Sequence, residues 1–243
     1  MVRSGLNPGE ISRITGISRA TVRRWAIGLL PVQGQKRRAG ACMKCGRKPS
    51  PSSLTDSSYA YLLGLYLGDG SIAKHPRGVF RLRISLDRSY PVIVAECEAA
   101  MSLVLPANKV TIIKHQKTRL DEVNCYSRHW PCLLPQHGPG RKHERRIILD
   151  DWQREISDRY PWRFLRGLIH SDGSRFMNTI QHRDKTYVYP RYVFSNRSDD
   201  IRRLFCEYCD KVGVEWRQMN QRSISVARRN SVALMDRHIG PKR

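Results

Sequence analysis

Two nine-residue stretches of this 243-residue chain are near copies of one another, LLGLYLGDG at 62–70 and LRGLIHSDG at 165–173. Each is an apolar run typical of a helix, with small residues four positions apart, and each ends in Asp-Gly. Residues at i and i+4 lie on one face of a helix, so small residues there let two backbones approach closely. The repeat therefore predicts two central helices that pack together through Gly64, Gly68, Gly167 and Ser171.

The acid that ends each copy is the unusual element of the repeat. Asp69 and Asp172 would stand at the negative end of a helix dipole, which disfavours an anion by up to about 1 kcal/mol. Two helices side by side would bring both carboxylates together, and a divalent cation between them would compensate their charge. The glycines that follow, Gly70 and Gly173, are expected to adopt the left-handed conformation that ends many helices.

The similarity between the two halves extends beyond these motifs. Each half continues with a strand-like run (79–86 or 187–196), an Arg-Ser pair and a helical segment (90–104 or 199–212). Two further extended runs and a Gly-Pro-basic turn follow in each half. Each half is therefore predicted to run helix, strand, strand, helix, strand, strand, helix. The first half spans 59–143, a connector spans 144–160 and the second half spans 161–243.

The two motifs resemble the signature of the LAGLIDADG family, in particular its single-chain members with two motifs. The resemblance implies an α/β (α+β) fold, in which two duplicated halves form a pseudo-two-fold saddle of two antiparallel sheets over DNA. It implies that Asp69 and Asp172 hold magnesium or another divalent cation at the scissile phosphates of opposite strands. In the family a basic residue near the end of each half completes the active site, and Lys142 and Lys242 occupy the corresponding turns.

Charge and strand patterning point to DNA as well. The chain has 44 Lys and Arg against 21 Asp and Glu, a net charge of +23, and nucleic acid is the usual partner of such a protein. Arg81, Arg83 and Ser85 alternate with apolar residues, so one face of their strand is basic and can enter a major groove. Arg191 lies on the corresponding face of the matching strand. We expect a monomer with internal pseudo-symmetry that binds double-stranded DNA.

Residues 1–30 carry a second DNA-binding signal. Asn7-Pro8-Gly9-Glu10 can cap a helix that runs through Ile14, and Ser18 can cap a second helix after a tight turn. The arrangement resembles a helix–turn–helix, and a helical hairpin that only packs is the alternative. The second helix would present four side chains to a major groove, Arg19, Thr21, Arg23 and Arg24.

Residues 31–58 are rich in Pro, Gly, Ser and basic residues and are predicted to form a linker. Cys42 and Cys45 within it resemble one knuckle of a zinc ribbon, but structural zinc needs four ligands and no second knuckle follows nearby. Zinc binding therefore stays open, while Cys206 and Cys209 are predicted to face the core. An odd number of cysteines, no signal peptide and no membrane span predict a cytoplasmic, nucleoid-associated protein.

Three functions are compatible with these features. The favoured one is a site-specific DNA endonuclease of the homing type, which hydrolyses both strands of a long duplex site with a metal ion. The alternative is a DNA-binding transcriptional regulator on the same fold, although such relatives typically lose the motif acids and this chain has both. An RNA maturase is a third possibility, which only kinship of fold suggests.

Overall fold

The computed structural model describes residues 7–15, Val22 and 53–243, and the chain divides into two units, Met1–Ala41 and Cys42–Arg243. In the first unit, helix α1 spans Pro8–Thr15. The predicted capping is present, because the Glu10 amide donates to Asn7 Oδ1 (3.1 Å) and the Asn7 amide donates to Glu10 Oε2 (2.9 Å). The rest of the helix–turn–helix prediction and the zinc prediction lie outside the described residues, including Arg19, Thr21, Arg23, Arg24, Cys42 and Cys45.

The second unit repeats one order of elements twice. The first half contains α2 (Ser53–Asp69), β1 (Gly70–Lys74), β2 (Phe80–Asp87), α3 (Pro91–Val104), β3 (Val110–Lys114), β4 (Leu120–Ser127) and α4 (Trp130–Leu133). A 3-10 turn at Lys142–Glu144 and helix α5 (Asp151–Arg159) follow. The second half contains α6 (Pro161–Asp172), β5 (Gly173–His182), β6 (Lys185–Ser195), α7 (Asp199–Lys211), β7 (Arg217–Asn220), β8 (Ser223–Val226) and α8 (Arg229–His238). The predicted order is confirmed in both halves.

Each half forms a four-stranded antiparallel sheet with the same strand order. Sheet 1 runs β1-β2-β4-β3 and sheet 2 runs β5-β6-β8-β7. Leu82, Ile84 and Leu86 of β2 are buried in the core. The alternate residues of β2 point to the opposite side of sheet 1, which is termed its open face. The α+β fold with two antiparallel sheets that the sequence predicts is thus confirmed.

Helices α2 and α6 pack backbone to backbone at the centre of this unit. A Cβ atom at Gly64 would lie 2.5 Å from the Phe164 carbonyl oxygen, and one at Gly167 would overlap the Tyr61 carbonyl oxygen. Gly68 faces Ser171, whose hydroxyl donates to the Gly167 carbonyl of its own helix at 3.0 Å. The small residues of the repeat therefore lie in this helix contact, where larger side chains would force the backbones apart.

The expectation of left-handed glycines after the two helices was wrong. Gly173 is extended, with φ −98° and ψ 167°, and Gly70 has no positive φ and opens strand β1. A Cβ at Gly70 would lie 2.6 Å from Tyr66 Cα, and one at Gly173 would lie 2.6 Å from Ile169 Cδ1. Glycine is required here because the chain passes directly from helix to strand, tight against the last helical turn.

Two boundaries also differ from those read in the sequence. Helix α2 begins at Ser53, inside the predicted linker 31–58. The buried Asp56 lies in the first turn, where the helix dipole favours an anion, and accepts from Arg159 Nη1 at 3.3 Å. Arg159 ends α5, which lies in the predicted connector. In the part of the chain that is described, no helix is long and apolar enough to cross a membrane.

Candidate active site

The two motif acids end the two central helices and lie beside one another. Asp69 is the last residue of α2 and Asp172 is the last residue of α6. Asp172 Oδ2 lies 2.8 Å from the position that a Cβ on Gly68 would take, so the Asp172 carboxylate reaches the end of the other helix. The close α2–α6 contact thereby brings together two negative charges at two negative dipole ends.

The surroundings of Asp69 oppose its ionisation. The side chain is exposed to solvent on one side, but the protein around it excludes enough water to penalise the charged form. This desolvation, together with the nearby Asp172 carboxylate, raises the pKa of Asp69 to about 6, against the opposing effect of Lys242 and Lys142. A substantial fraction of the Asp69 carboxyl groups is therefore protonated a little below neutral pH.

Asp172 accepts a side-chain hydrogen bond, and no such bond to Asp69 is found among the described residues. Burial raises the pKa of Asp172, while Asn196 Nδ2 donates to its Oδ2 at 2.5 Å and lowers that pKa. Asn196 occupies the position of Asp87 in the first half, since each precedes an Arg-Ser pair. Asn196 was not among the predicted site residues, although aligning the two halves at their Arg-Ser pairs places it opposite Asp87.

Lys142 and Lys242 each reach the end of a central helix. Lys142 Nζ donates to the carbonyls of Tyr66, Leu67 (3.0 Å) and Gly68 (2.7 Å) at the end of α2. Lys242 Nζ donates to the Ser171 carbonyl at 2.9 Å, at the end of α6. These contacts satisfy terminal carbonyls and place positive charge at the negative dipole end.

Burial also changes the acidity of these two lysines. It lowers the pKa of Lys142 to about 8, although Asp172 and Asp69 act in the opposite direction. Burial likewise lowers the pKa of Lys242, again against both acids. The site therefore combines two carboxylates that resist ionisation with two ammonium groups that release protons more readily than usual.

The described residues contain no group of three or more His, Cys, Asp or Glu side chains that could hold a metal ion. Two carboxylates still fit Mg²⁺, which prefers hard oxygen ligands and commonly takes its remaining ligands from water and phosphate. The unfavourable pairing of Asp69 with Asp172 is the feature that a cation would relieve. His170, which lies two residues before Asp172, is buried and bonded to the Tyr61 hydroxyl at 2.8 Å, so it is a packing residue.

The predicted DNA-contacting side chains lie on the open faces of the sheets. Arg81, Arg83 and Ser85 share the open face of sheet 1, and Arg191 lies on the corresponding face of sheet 2. Arg81 and Arg83 both meet a carboxylate on their own face, that of Glu122, which the sequence analysis did not identify. The structure thus places arginines on the open face of each sheet and the acid–lysine cluster at the ends of the central helices.

No protein-family model matches the sequence, and no curated protein sequence is significantly similar to it. Among solved structures, I-DmoI in complex with DNA and Mn is 15% identical over 76% of this chain and 97% of its own, with a TM-score of 0.50. The full-length DUF199/WhiA protein from Thermatoga maritima is 16% identical over 80% of this chain and 58% of its own, with a TM-score of 0.49. The LAGLIDADG meganuclease I-AabMI bound to uncleaved DNA is 10% identical over 74% of this chain and 83% of its own, with a TM-score of 0.46. The likeness to I-DmoI, a homing endonuclease, shows that this chain has the duplicated fold of the LAGLIDADG homing endonucleases.

Proposed function

We propose that this protein is a site-specific DNA endonuclease of the homing type, which hydrolyses both strands of a long duplex. The observation that carries the proposal is the pairing of Asp69 and Asp172. Desolvation, two helix dipoles and mutual repulsion all disfavour these charges, so they cost stability where they stand. Acids kept at such a cost are characteristic of functional sites.

The paired acids would hold magnesium or another divalent cation. When bound to them, the metal would supply a Lewis acid that polarises the scissile phosphate and favours hydroxide at neutral pH. Support comes from the fold neighbour I-DmoI, whose structure contains DNA and Mn. No step of the proposal requires a third acid from the protein.

Lys142 and Lys242 would act next to these acids. Each ammonium group lies at the end of one central helix, so each half contributes one acid and one lysine to the site. A DNA phosphate at the carboxylates would meet these positive charges, and a lysine with its pKa near 8 can exchange a proton at Nζ close to neutral pH. One acid and one lysine would serve each strand, so a monomer would suffice for a double-strand break.

DNA would lie along the open faces of the two sheets. Arg81, Arg83 and Ser85 on sheet 1 and Arg191 on sheet 2 would contact it, and the net charge of +23 would supply long-range attraction. The unit that contains α1 would add contacts as a helix–turn–helix. In that proposal its DNA-facing side chains are Arg19, Thr21, Arg23 and Arg24.

The test begins with the selection of a bound duplex from a randomised library, followed by incubation with magnesium. Wild type should cut both strands, whereas Asp69→Asn and Asp172→Asn should each abolish double-strand cleavage and still bind the duplex. Asp151→Asn, which changes an exposed acid on α5, is the matched control and should cut normally. Tight binding without any magnesium-dependent break would instead identify a DNA-binding regulator.

A further inference from the structure

The open face of sheet 1 contains a carboxylate where a polyanion would bind. Glu122 on β4 is only 5% exposed, and its register with Ser85 places it beside the arginines of β2. Its Oε1 accepts a hydrogen bond from Arg81 Nη2, and its Oε2 lies 3.6 Å from Arg83 Nη1. His115 Nε2 is a third neighbour, at 4.0 Å from Oε2.

The two arginines keep donors for a ligand while Glu122 holds them. The Arg81 side chain is still 20% exposed, although its Nε is buried and has no hydrogen-bond partner among the described residues. The Arg83 side chain is 50% exposed, and its Nε donates to Ser71 Oγ at 2.8 Å. Glu122 thus holds each guanidinium on one side, while part of each arginine side chain stays accessible to solvent.

Glu122 opposes general DNA affinity. A carboxylate on this face repels phosphate, and it ties two guanidinium groups that would otherwise be free to contact phosphates. On the open face of sheet 2 the corresponding arginine has a different kind of partner. Arg191 Nη2 donates to the Tyr189 hydroxyl at 3.1 Å and not to a carboxylate. If this surface served only to bind phosphates, removal of the Glu122 charge would increase its affinity for DNA.

We propose that Glu122 is a positioning residue for DNA sequence recognition, which aims the guanidinium groups of Arg81 and Arg83 at base edges and keeps them off the phosphates. Fixed arginine forks suit the two acceptors on the major-groove edge of guanine. Fixing the forks before binding also removes the entropy cost of ordering two long side chains. The inference rests on the proposed DNA binding by the open face of sheet 1, but not on cleavage.

The experiment selects bound duplexes from a randomised library with the full chain, in parallel for wild type, Glu122→Gln and Glu155→Gln. Glu155 is exposed on α5, so its substitution makes the same change in net charge away from the open face. Glu122→Gln should lose about tenfold or more of its preference at one or two base pairs. Its binding to random-sequence duplex should stay equal or become tighter, and the slope of log K against log salt should steepen by about 1 to 2, because each freed arginine can reach a phosphate. Glu155→Gln should select the wild-type site.

Arg83→Lys gives a second route should Glu122→Gln not fold. Lysine keeps the charge but lacks the planar fork, so preference should fall at the same base pairs while random-sequence binding persists. The inference is overturned where folded Glu122→Gln or Arg83→Lys selects the wild-type site with undiminished preference. Failure of wild type to select any sequence would overturn the proposed site specificity itself, and the inference with it.

Discussion

Asp69 and Asp172 stand where both the local helix and the neighbouring half disfavour a negative charge. For Asp69 the folded-state pKa, at about 6, lies above its ordinary value of 3.8. The folded protein therefore holds a proton at this carboxyl more tightly than the unfolded chain does. Ionised Asp69 destabilises the fold above about pH 6, and this destabilisation is lost as the pH falls through 6 towards 4.

Asp69→Asn should accordingly raise Tm at pH 7.5, by about 2–4 °C, which is the shift that about 1 kcal/mol produces in a chain of this size. At pH 4 the gain should be much smaller, because Asp69 is then protonated in the folded wild type. Thermal unfolding followed by circular dichroism at the two pH values measures both shifts. An equal gain at both values would contradict the assigned electrostatic cause.

Asn196 makes the two acids inequivalent, and this difference should appear in the cut strands. Asn196→Ala removes the donor to Asp172 and should slow the cleavage of one strand by about tenfold, leaving nicked DNA. Asp87→Ala is the matched control, because Asp87 Oδ1 accepts from the Ser89 amide (2.8 Å) as Asn196 Oδ1 accepts from the Ser198 amide (2.7 Å). Both variants lose that turn contact, but only one loses a contact to a motif acid. Strand-specific end labelling of the products distinguishes them, and equal slowing of both strands by Asn196→Ala would refute the assignment.

At the scale of whole elements, the contact between helices α2 and α6 depends on glycine. Gly64→Ala should destabilise the protein by about 2 kcal/mol or more, because the added methyl group meets backbone atoms that cannot move aside. Gly138→Ala should have little effect, since its Cβ would meet only the flexible Arg145 side chain, at 3.3 Å. Urea unfolding of the two variants measures the difference. Comparable stabilities would show that the helix contact tolerates separation.

Local patterns in the sequence were sufficient to predict the order of helices and strands, but not to predict several contacts between distant residues. The repeated motif, the period-two alternation in β2 and the Arg-Ser pairs are short-range signals, and they predicted the element order and the open face. Glu122 contacts arginines about 40 residues away in the chain, and no local pattern marks it. The Arg-Ser pairs give the position of Asn196, but its contact with Asp172, 24 residues away, is visible only in the fold. The conformation of the glycine after each motif was predicted wrongly for a different reason. Glycine is favoured both in a left-handed turn and where two segments of backbone approach closely, so the sequence does not distinguish the two.

Electrostatics should dominate binding at the scale of the whole molecule. With a net charge of +23, raising salt from about 50 to about 200 mM should weaken DNA binding by about a thousandfold or more. Fluorescence anisotropy of a labelled duplex over that range gives the slope. A change of less than about tenfold would mean that few phosphates are contacted.

The unit Met1–Ala41 should add to binding without supporting the fold of the other unit. A chain lacking residues 1–41 should unfold cooperatively, as the full chain does, and should protect a shorter stretch of DNA. Footprinting and thermal unfolding of the two proteins test this. Loss of cooperative unfolding would place the boundary of the folded unit elsewhere.

The hairpin of sheet 2 is twice as long as its counterpart, since β5 has 10 residues and β1 has 5. Five further residues extend a strand by about 17 Å, which is the length of about five base pairs of duplex. If DNA lies along both open faces, the second half reaches further from the acids than the first half does. The position of the cut would then lie off-centre in the protected DNA. A palindromic site would match both halves only over the length of the shorter hairpin, and the end of the longer hairpin would contact bases outside the palindrome.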